Sequence, residues 1–239
     1  MSARFEQLDR RQTSMGELTL RRRLEPTLQV DVWEVTLNDE HLMSSLFTVA
    51  EIALGTLGLA ALSGADFDVV VGGLGLGYTA REVKRDPRVR SMRVIEALGE
   101  VIDWHERGLL PLADELASDP RCDFVHGDFF AMVADGLPFG TGAPKQCDAV
   151  LVDIDHTPHH MLHPSHAPFY TAAGLALLAD RIVPGGVFGL WSDAPPDAAF
   201  VATVETVFAS CVAHVVSFPN FHTDAESANT VYIATTATA

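Results

Sequence analysis

A parallel β-sheet with helices on both faces, preceded by a small antiparallel β unit, is the fold class this sequence predicts, and three observations carry it. From Phe67 onward, short runs of branched apolar residues alternate with stretches of helical periodicity. The first of those runs passes directly into a turn with glycine at alternate positions, Gly73, Gly75 and Gly77. Residues 17–36, by contrast, are apolar at every second position, as half-buried antiparallel strands are.

Taken in order, "ELTLRRR" and "LQVDVWEVTL" form the amino-terminal strands and "LNDEH" supplies a turn. Residues 44–63 read as a helix. Their stretch "LFTVAEIALGTLGLAALSGA" is apolar enough to raise a membrane-spanning question, but Glu51 and its glycines favour a buried helix. Strands are expected at 67–72, 91–96, 122–126, 148–153, 186–191, 211–218 and 229–235, giving a seven-stranded, mostly parallel sheet. The last two lack a helix between them and suit an antiparallel hairpin at the end of the sheet. The expected organisation is a small β domain over 1–43 and a nucleotide-binding-type domain over 44–239.

Composition narrows the function. A hydrophobic fraction of 48% and a charged fraction of 20% suit a globular protein with a sizeable core. A formal net charge of −16 opposes nucleic acid and anionic membranes as partners and favours small cationic ligands. Cys122, Cys147 and Cys211 are far apart and form no CxxC pair, which fits a reducing, cytoplasmic setting. The opening "MSARFEQLDRRQ" has no apolar core of the kind a secretory signal needs.

In an open α/β sheet, ligands bind outside the carboxyl ends of the strands, so the strand tips should carry the chemistry. The tips bear glycines or acids: Gly73, Gly75 and Gly77 after the first, Glu96 after the second, Asp128 after the third, and Asp153 with Asp155 after the fourth. Glu96 follows the glycines by about the spacing at which a carboxylate accepts the hydroxyl hydrogens of a ribose. Each acid also has a structural alternative as a turn former or helix N-cap. The turn departs from the dinucleotide pattern, with Tyr78 where the third glycine of G-x-G-x-x-G would stand, so its ligand need not carry a phosphate. A nucleoside with a ribose and an adenine amino group fits Glu96 and Asp128.

At these positions the chain resembles the class I S-adenosylmethionine-dependent methyltransferase fold, which is Rossmann-like, and within it the spermidine synthase (polyamine aminopropyltransferase) family. The resemblance lies in "GGLGLGYTAREV", "VIEALGEVID", "CDFVHGDFF", "CDAVLVDIDHTP" and "PFYTAAGLALLADRIVPGGVF", which follow the family's motifs in order. It implies S-adenosylmethionine or its decarboxylated form as cofactor. Gly73, Gly75 and Gly77 would line its methionine-derived part, Glu96 its ribose and Asp128 its adenine, with Asp153 as the catalytic carboxylate. Such a carboxylate has a reason to be there: an amine nucleophile is mostly protonated near neutral pH and needs a base before it can attack a sulfonium carbon.

Two positions depart from the family. The acid within its glycine turn falls on Leu76, and the second acid of its DxxD pair falls on His156. Asp155 could substitute, since it would share a face with Asp153 if the chain stayed extended. Of the family's residues on the preceding helix, Glu51 alone matches. These losses concern amine binding rather than nucleoside binding. They favour methyl transfer to a small amine or related nucleophile over aminopropyl transfer from the decarboxylated cofactor, or a non-catalytic nucleoside-binding protein.

The stretch "HTPHHMLHPSHAPFY" places His156, His159, His160, His163 and His166 close together, where the family forms a lid over the acceptor. Clustered histidines invite a metal, but no helical HxxxH pair is present and Pro158 and Pro164 interrupt any helix, so none is assigned. His156 instead reads as an acceptor-site base or hydrogen-bond partner, better suited to an uncharged or anionic acceptor than to a diamine, against a merely solvated lid. Tyr170, Trp191 and Glu51 are candidate acceptor contacts, with Asp193 beyond them, although an aromatic such as Tyr170 more often packs into a core. The amino-terminal sheet has an open edge and little core of its own, so a homodimer is expected.

Overall fold

A computed structural model describes residues 5–221 and 223–238. Four antiparallel strands come first: β1 (Phe5–Thr13), β2 (Gly16–Glu25), β3 (Val30–Leu37) and β4 (Glu40–Ser44), in spatial order β1-β2-β3-β4. The expected strands correspond to β2 and β3, flanked by two more. Asn38 and Asp39 both adopt left-handed backbone (φ 51° and 66°), which makes "LNDEH" a tight hairpin turn. Asn38 also ties the two hairpins together: its Oδ1 accepts from the Glu17 amide at 2.9 Å and its Nδ2 donates to the Met15 carbonyl at 3.2 Å.

Helix α1 (Val49–Ala60) is shorter than the expected 44–63, because Ser44 still pairs with Glu34 in β4. No helix among the described residues is long and apolar enough to cross a membrane. The second sheet follows: β5 (Phe67–Gly72), β6 (Val89–Glu96), β7 (Cys122–His126), β8 (Cys147–Val152), β9 (Ile182–Ser192), β10 (Ser210–Asn220) and β11 (Ala225–Thr235). Its order is β10-β11-β9-β8-β5-β6-β7, with β11 antiparallel to both β9 and β10 and the remaining pairs parallel. Strand order reverses beside β5, which places the tips of β5 and β8 at the crevice where ligands of such sheets bind.

Two apolar cores follow from the alternation of side chains across the strands. One lies beneath α1, α2 (Tyr78–Arg85), α3 (Gly99–Glu106) and α4 (Ala113–Ala117), and takes in Leu54, Val71, Leu76, Trp104 and Leu151. The other lies beneath α5 (Phe129–Ala134), a 3-10 turn over Pro164–Tyr170, α6 (Ala172–Ala179) and α7 (Ala198–Glu205), and takes in Phe129, Phe169, Phe188 and Phe200.

The first core also receives Leu18, Leu20 and Val35 of the amino-terminal sheet. Burying Leu18 and Leu20 completely is worth about 2 kcal/mol each. Polar contacts fix the orientation: Trp104 Nε1 donates to Asp9 at 2.8 Å, Arg11 to Asp103 at 2.6 Å, and Trp33 Nε1 to the Leu109 carbonyl at 3.0 Å. The small sheet is therefore seated on α3 at defined points, with β4 leading into α1 above the tips of the large sheet.

Candidate functional site

The glycine turn after β5 is held mainly by its own core. Gly73 has φ 94°, and a Cβ there would lie 2.1 Å from the carbonyl oxygen of Asp153; at Gly77, φ 90°, it would lie 2.5 Å from Leu116 Cδ1. These glycines let the β5 and β8 tips approach and let the turn settle on α4. His105 fastens the same turn from α3: its ring Nε2 is 3.0 Å from the Gly75 carbonyl. Burial pulls the His105 pKa down to about 4, so the ring is neutral near pH 7 and Nε2–H donates.

Glu96, at the tip of β6, faces this turn. Its Oε2 accepts from the amides of Leu74 (3.0 Å) and Gly75 (3.4 Å), and its Oε1 from that of Leu98 (2.8 Å). Burial raises its pKa, and these amides oppose the rise. A carboxylate offers about four acceptor positions, so roughly one is left for a ligand. Asp128 takes the structural role that an acid at a strand end can take: its Oδ1 caps α5 through the amides of Phe130 and Ala131. Asp128 is exposed, and its Oδ2 takes no part in that cap.

A carboxylate pair stands next to the glycine turn. Asp153 immediately follows β8, its amide bonded to the Gly72 carbonyl at 2.8 Å. Glu51 projects from the first turn of α1. Thr79 joins the three elements: its hydroxyl is 2.8 Å from Asp153 Oδ2 and 3.2 Å from the main-chain carbonyl of Glu51. Burial, opposed by the Thr79 hydrogen bond, lifts the Asp153 pKa to about 6. Burial and then the Asp153 charge lift that of Glu51 to about 8. Around pH 7 the pair therefore holds about one proton and one negative charge, a state suited to accepting a proton.

Asp155 corrects the sequence expectation. The strand ends at Val152, the chain does not stay extended, and Asp155 turns away from Asp153 toward the second core. There it is fully buried and accepts from the Leu162 amide (2.7 Å), His166 Nδ1 (2.9 Å) and Tyr170 hydroxyl (2.9 Å). Its role is to anchor the lid, and it shares no partner with Asp153. Tyr170 is likewise a core residue, stacked edge-on against Phe169, its hydroxyl held protonated well above the usual range by burial and by Asp155.

Trp191 lies on the same face of the sheet as Asp153, since Gly189, two residues earlier, faces Leu54 of α1. Its Nε1–H is buried and has no partner, which leaves a donor available to a ligand. Asp193 reaches His156 at 3.8 Å, and its amide donates to the His156 carbonyl at 2.8 Å. Leu76, where the resemblance placed an acid, is buried in the core, and Tyr78 is half-buried, its ring beneath Arg81.

The lid histidines scatter. His159 pairs with Asp197 at 2.6 Å, His166 with Asp155, and His156 lies 4.8 Å ring to ring from His160. Among the described residues no group of three or more His, Cys, Asp or Glu converges as metal ligands. Sequence reasoning missed Thr79 and His105, both brought to the site by neighbouring helices. Thr79 carries a faint signal, a hydroxyl two residues after the glycine turn; His105 carries none.

No protein-family model matches the chain. Its fold is that of solved spermidine synthases and of a methyltransferase-like protein. The spermidine synthase from Thermotoga maritima superposes with a TM-score of 0.72 at 17% identity, covering 96% of this chain and 72% of that one. A spermidine synthase in complex with the transition-state analogue AdoDATO gives 0.73 at 16%, covering 96% and 73%. Human methyltransferase-like protein 13 in complex with SAH gives 0.57 at 16%, covering 78% and 82%.

Proposed function

We propose that the protein is a sulfonium-nucleoside-dependent transferase that moves a methyl group from S-adenosylmethionine to a small amine. The observation that carries this is the Glu51–Asp153 pair, two carboxylates with raised proton affinity at the crevice beside the glycine turn. The residues present fit the nucleoside. Glu96 has an acceptor position for a ribose hydroxyl, Asp128 Oδ2 takes no part in the helix cap and can accept from an adenine amino group, and Trp191 Nε1–H is an unsatisfied donor. The cofactor, when bound, supplies a carbon made electrophilic by the positive sulfur.

The chain's own residues do the rest. Asp153, ionised at neutral pH and oriented by Thr79, accepts the proton that keeps the amine from acting as a nucleophile. Protonated Glu51 keeps the second negative charge off the site until a cation arrives; the positive sulfur then favours ionisation of both groups. Methyl transfer is preferred because Leu76 leaves no carboxylate on the glycine turn to pair with a cationic aminopropyl tail. Aminopropyl transfer is the second reading, favoured by a likeness to spermidine synthases that covers 96% of the chain. Calorimetric titration with S-adenosylmethionine and its decarboxylated form separates the two: methyl transfer predicts tighter binding of the former, and preference for the latter overturns it.

A further inference from the structure

A second feature lies beside the acid pair and belongs to neither the nucleoside crevice nor the catalytic carboxylates. A cavity of about 490 Å³ opens between the rim of the amino-terminal sheet and the lid. Its lining includes four histidines, His41 from β4 and His156, His160 and His163 from the lid, together with Asn38 and a single carboxylate, Glu40. In a chain of net charge −16, a cavity wall with four imidazoles and one carboxylate is poor in acids.

Both walls run into the proposed reaction centre. Met43, two residues after His41, packs 3.3 Å from the Cβ position of Gly75, and His156 is three residues beyond Asp153. Three residues span at most about 10 Å, so the cavity mouth and the acid pair lie within the length of one small molecule.

The histidines present donors. His163 Nδ1 accepts from the Ser165 amide at 3.2 Å, which leaves the proton on Nε2. His41 feels Arg21 and Arg23 of β2, which Glu34 of β3 pairs, and it feels His156; its pKa is pulled down by desolvation first and by these cations, against Glu34. Asp193 lies 3.8 Å from His156. The cavity therefore offers imidazole N–H donors, with one carboxylate, Glu40, among its described lining residues. Among the described lining residues a diamine would meet one carboxylate, Glu40, with Asp193 beside His156.

We infer that this cavity holds the far end of the acceptor, and that the acceptor is an amino acid-like molecule, with an amine toward Asp153 and a carboxylate held by His41, His160 and His163. This rests on the proposed nucleoside site. The carboxylate accepts N–H bonds from the imidazoles, and its distance from the amine sets which nitrogen reaches the base.

The test uses the full chain, titrated calorimetrically at pH 7 with and without S-adenosylhomocysteine. The probes are ω-amino acids of three to six carbons, with putrescine and cadaverine as diamines matched in length. The expected result is that at least one ω-amino acid binds ten-fold or more tighter than its matched diamine. That margin should fall at least five-fold in His160→Gln/His163→Gln, with folding checked by circular dichroism; His41→Gln alone serves if the double variant does not fold. Equal or tighter binding of the diamines, no carboxylate binding, or an unchanged margin in the variants overturns the inference. Failure of S-adenosylhomocysteine itself to bind overturns the nucleoside reading instead, and the titration without it still reports on the cavity.

Discussion

Asp153 and Asp155 are two residues apart on one strand tip and live under opposite conditions. Asp155 is fully buried and held by three protein donors, Leu162, His166 and Tyr170. Asp153 is half-buried, has one side-chain donor, Thr79, and faces a second carboxylate. A carboxylate with its hydrogen bonds completed has little left to offer a substrate, and its charge serves the architecture. One left short of donors beside a like charge keeps its proton affinity high and can act on what binds next to it. The fold thus divides the two acids at the end of β8, one holding the lid and the other left short of donors, where we propose the chemistry takes place.

Asp153→Asn breaks that division most severely. It removes the proposed base, and general-base losses run to about 10²–10⁴-fold in kcat. We expect that loss with S-adenosylhomocysteine affinity within about three-fold of wild type; kinetics and titration on the same preparation check it.

Asp155→Ala should do the converse. It leaves the buried His166 and Tyr170 hydroxyl without their acceptor and costs about 3 kcal/mol of stability, read from urea unfolding. Loosening the lid should raise KM for the acceptor more than it lowers kcat. A large loss of kcat with unchanged stability would mean that Asp155, too, takes part in the chemistry.

Glu51→Gln sharpens the electrostatic side. The raised pKa of Glu51 means that the folded state binds its proton more tightly than the unfolded chain does. That contribution is full below about pH 4.5 and is lost as pH rises toward about 8. The variant should therefore gain about 2 kcal/mol relative to wild type between pH 5 and pH 8, discounted for partial solvent screening. Because Glu51 is still protonated where Asp153 titrates, the variant should leave the acidic limb of the kcat/KM profile near pH 6. The smallest effect is expected at Gly77→Ala, where a left-handed φ of 90° and crowding against Leu116 cost about 1–2 kcal/mol without touching the acid pair.

Much of this was legible in the sequence, for identifiable reasons. The strands of the large sheet are apolar runs bounded by turns, largely buried in β5, β8 and β9 and more exposed at the edges in β7 and β10, and each was readable from that pattern. β1 was not. "FEQLDRRQT" is an edge strand with polar groups on both faces, paired to β2 partly through Arg22–Glu6 and Arg10–Glu17, so no alternation announced it. Gly73, Glu96, Asp128 and Asp153 could be placed at strand ends because strand tips are positions a sequence can locate. The face on which Asp155 falls depends on where the chain stops being extended, and the arrival of Thr79, His105 and His41 depends on how helices and the small sheet dock.

In the proposed reaction a positively charged sulfur binds against the Glu51–Asp153 pair. The direct measurement is proton release on binding, obtained at pH 7 by calorimetry in buffers of different ionisation heat, with S-adenosylmethionine compared against the uncharged-sulfur S-adenosylhomocysteine. The account predicts that the sulfonium form releases about 0.5–1 proton more, as the cation drives Glu51 to ionise, and that Glu51→Gln abolishes the difference. Equal proton release by the two nucleosides would contradict it.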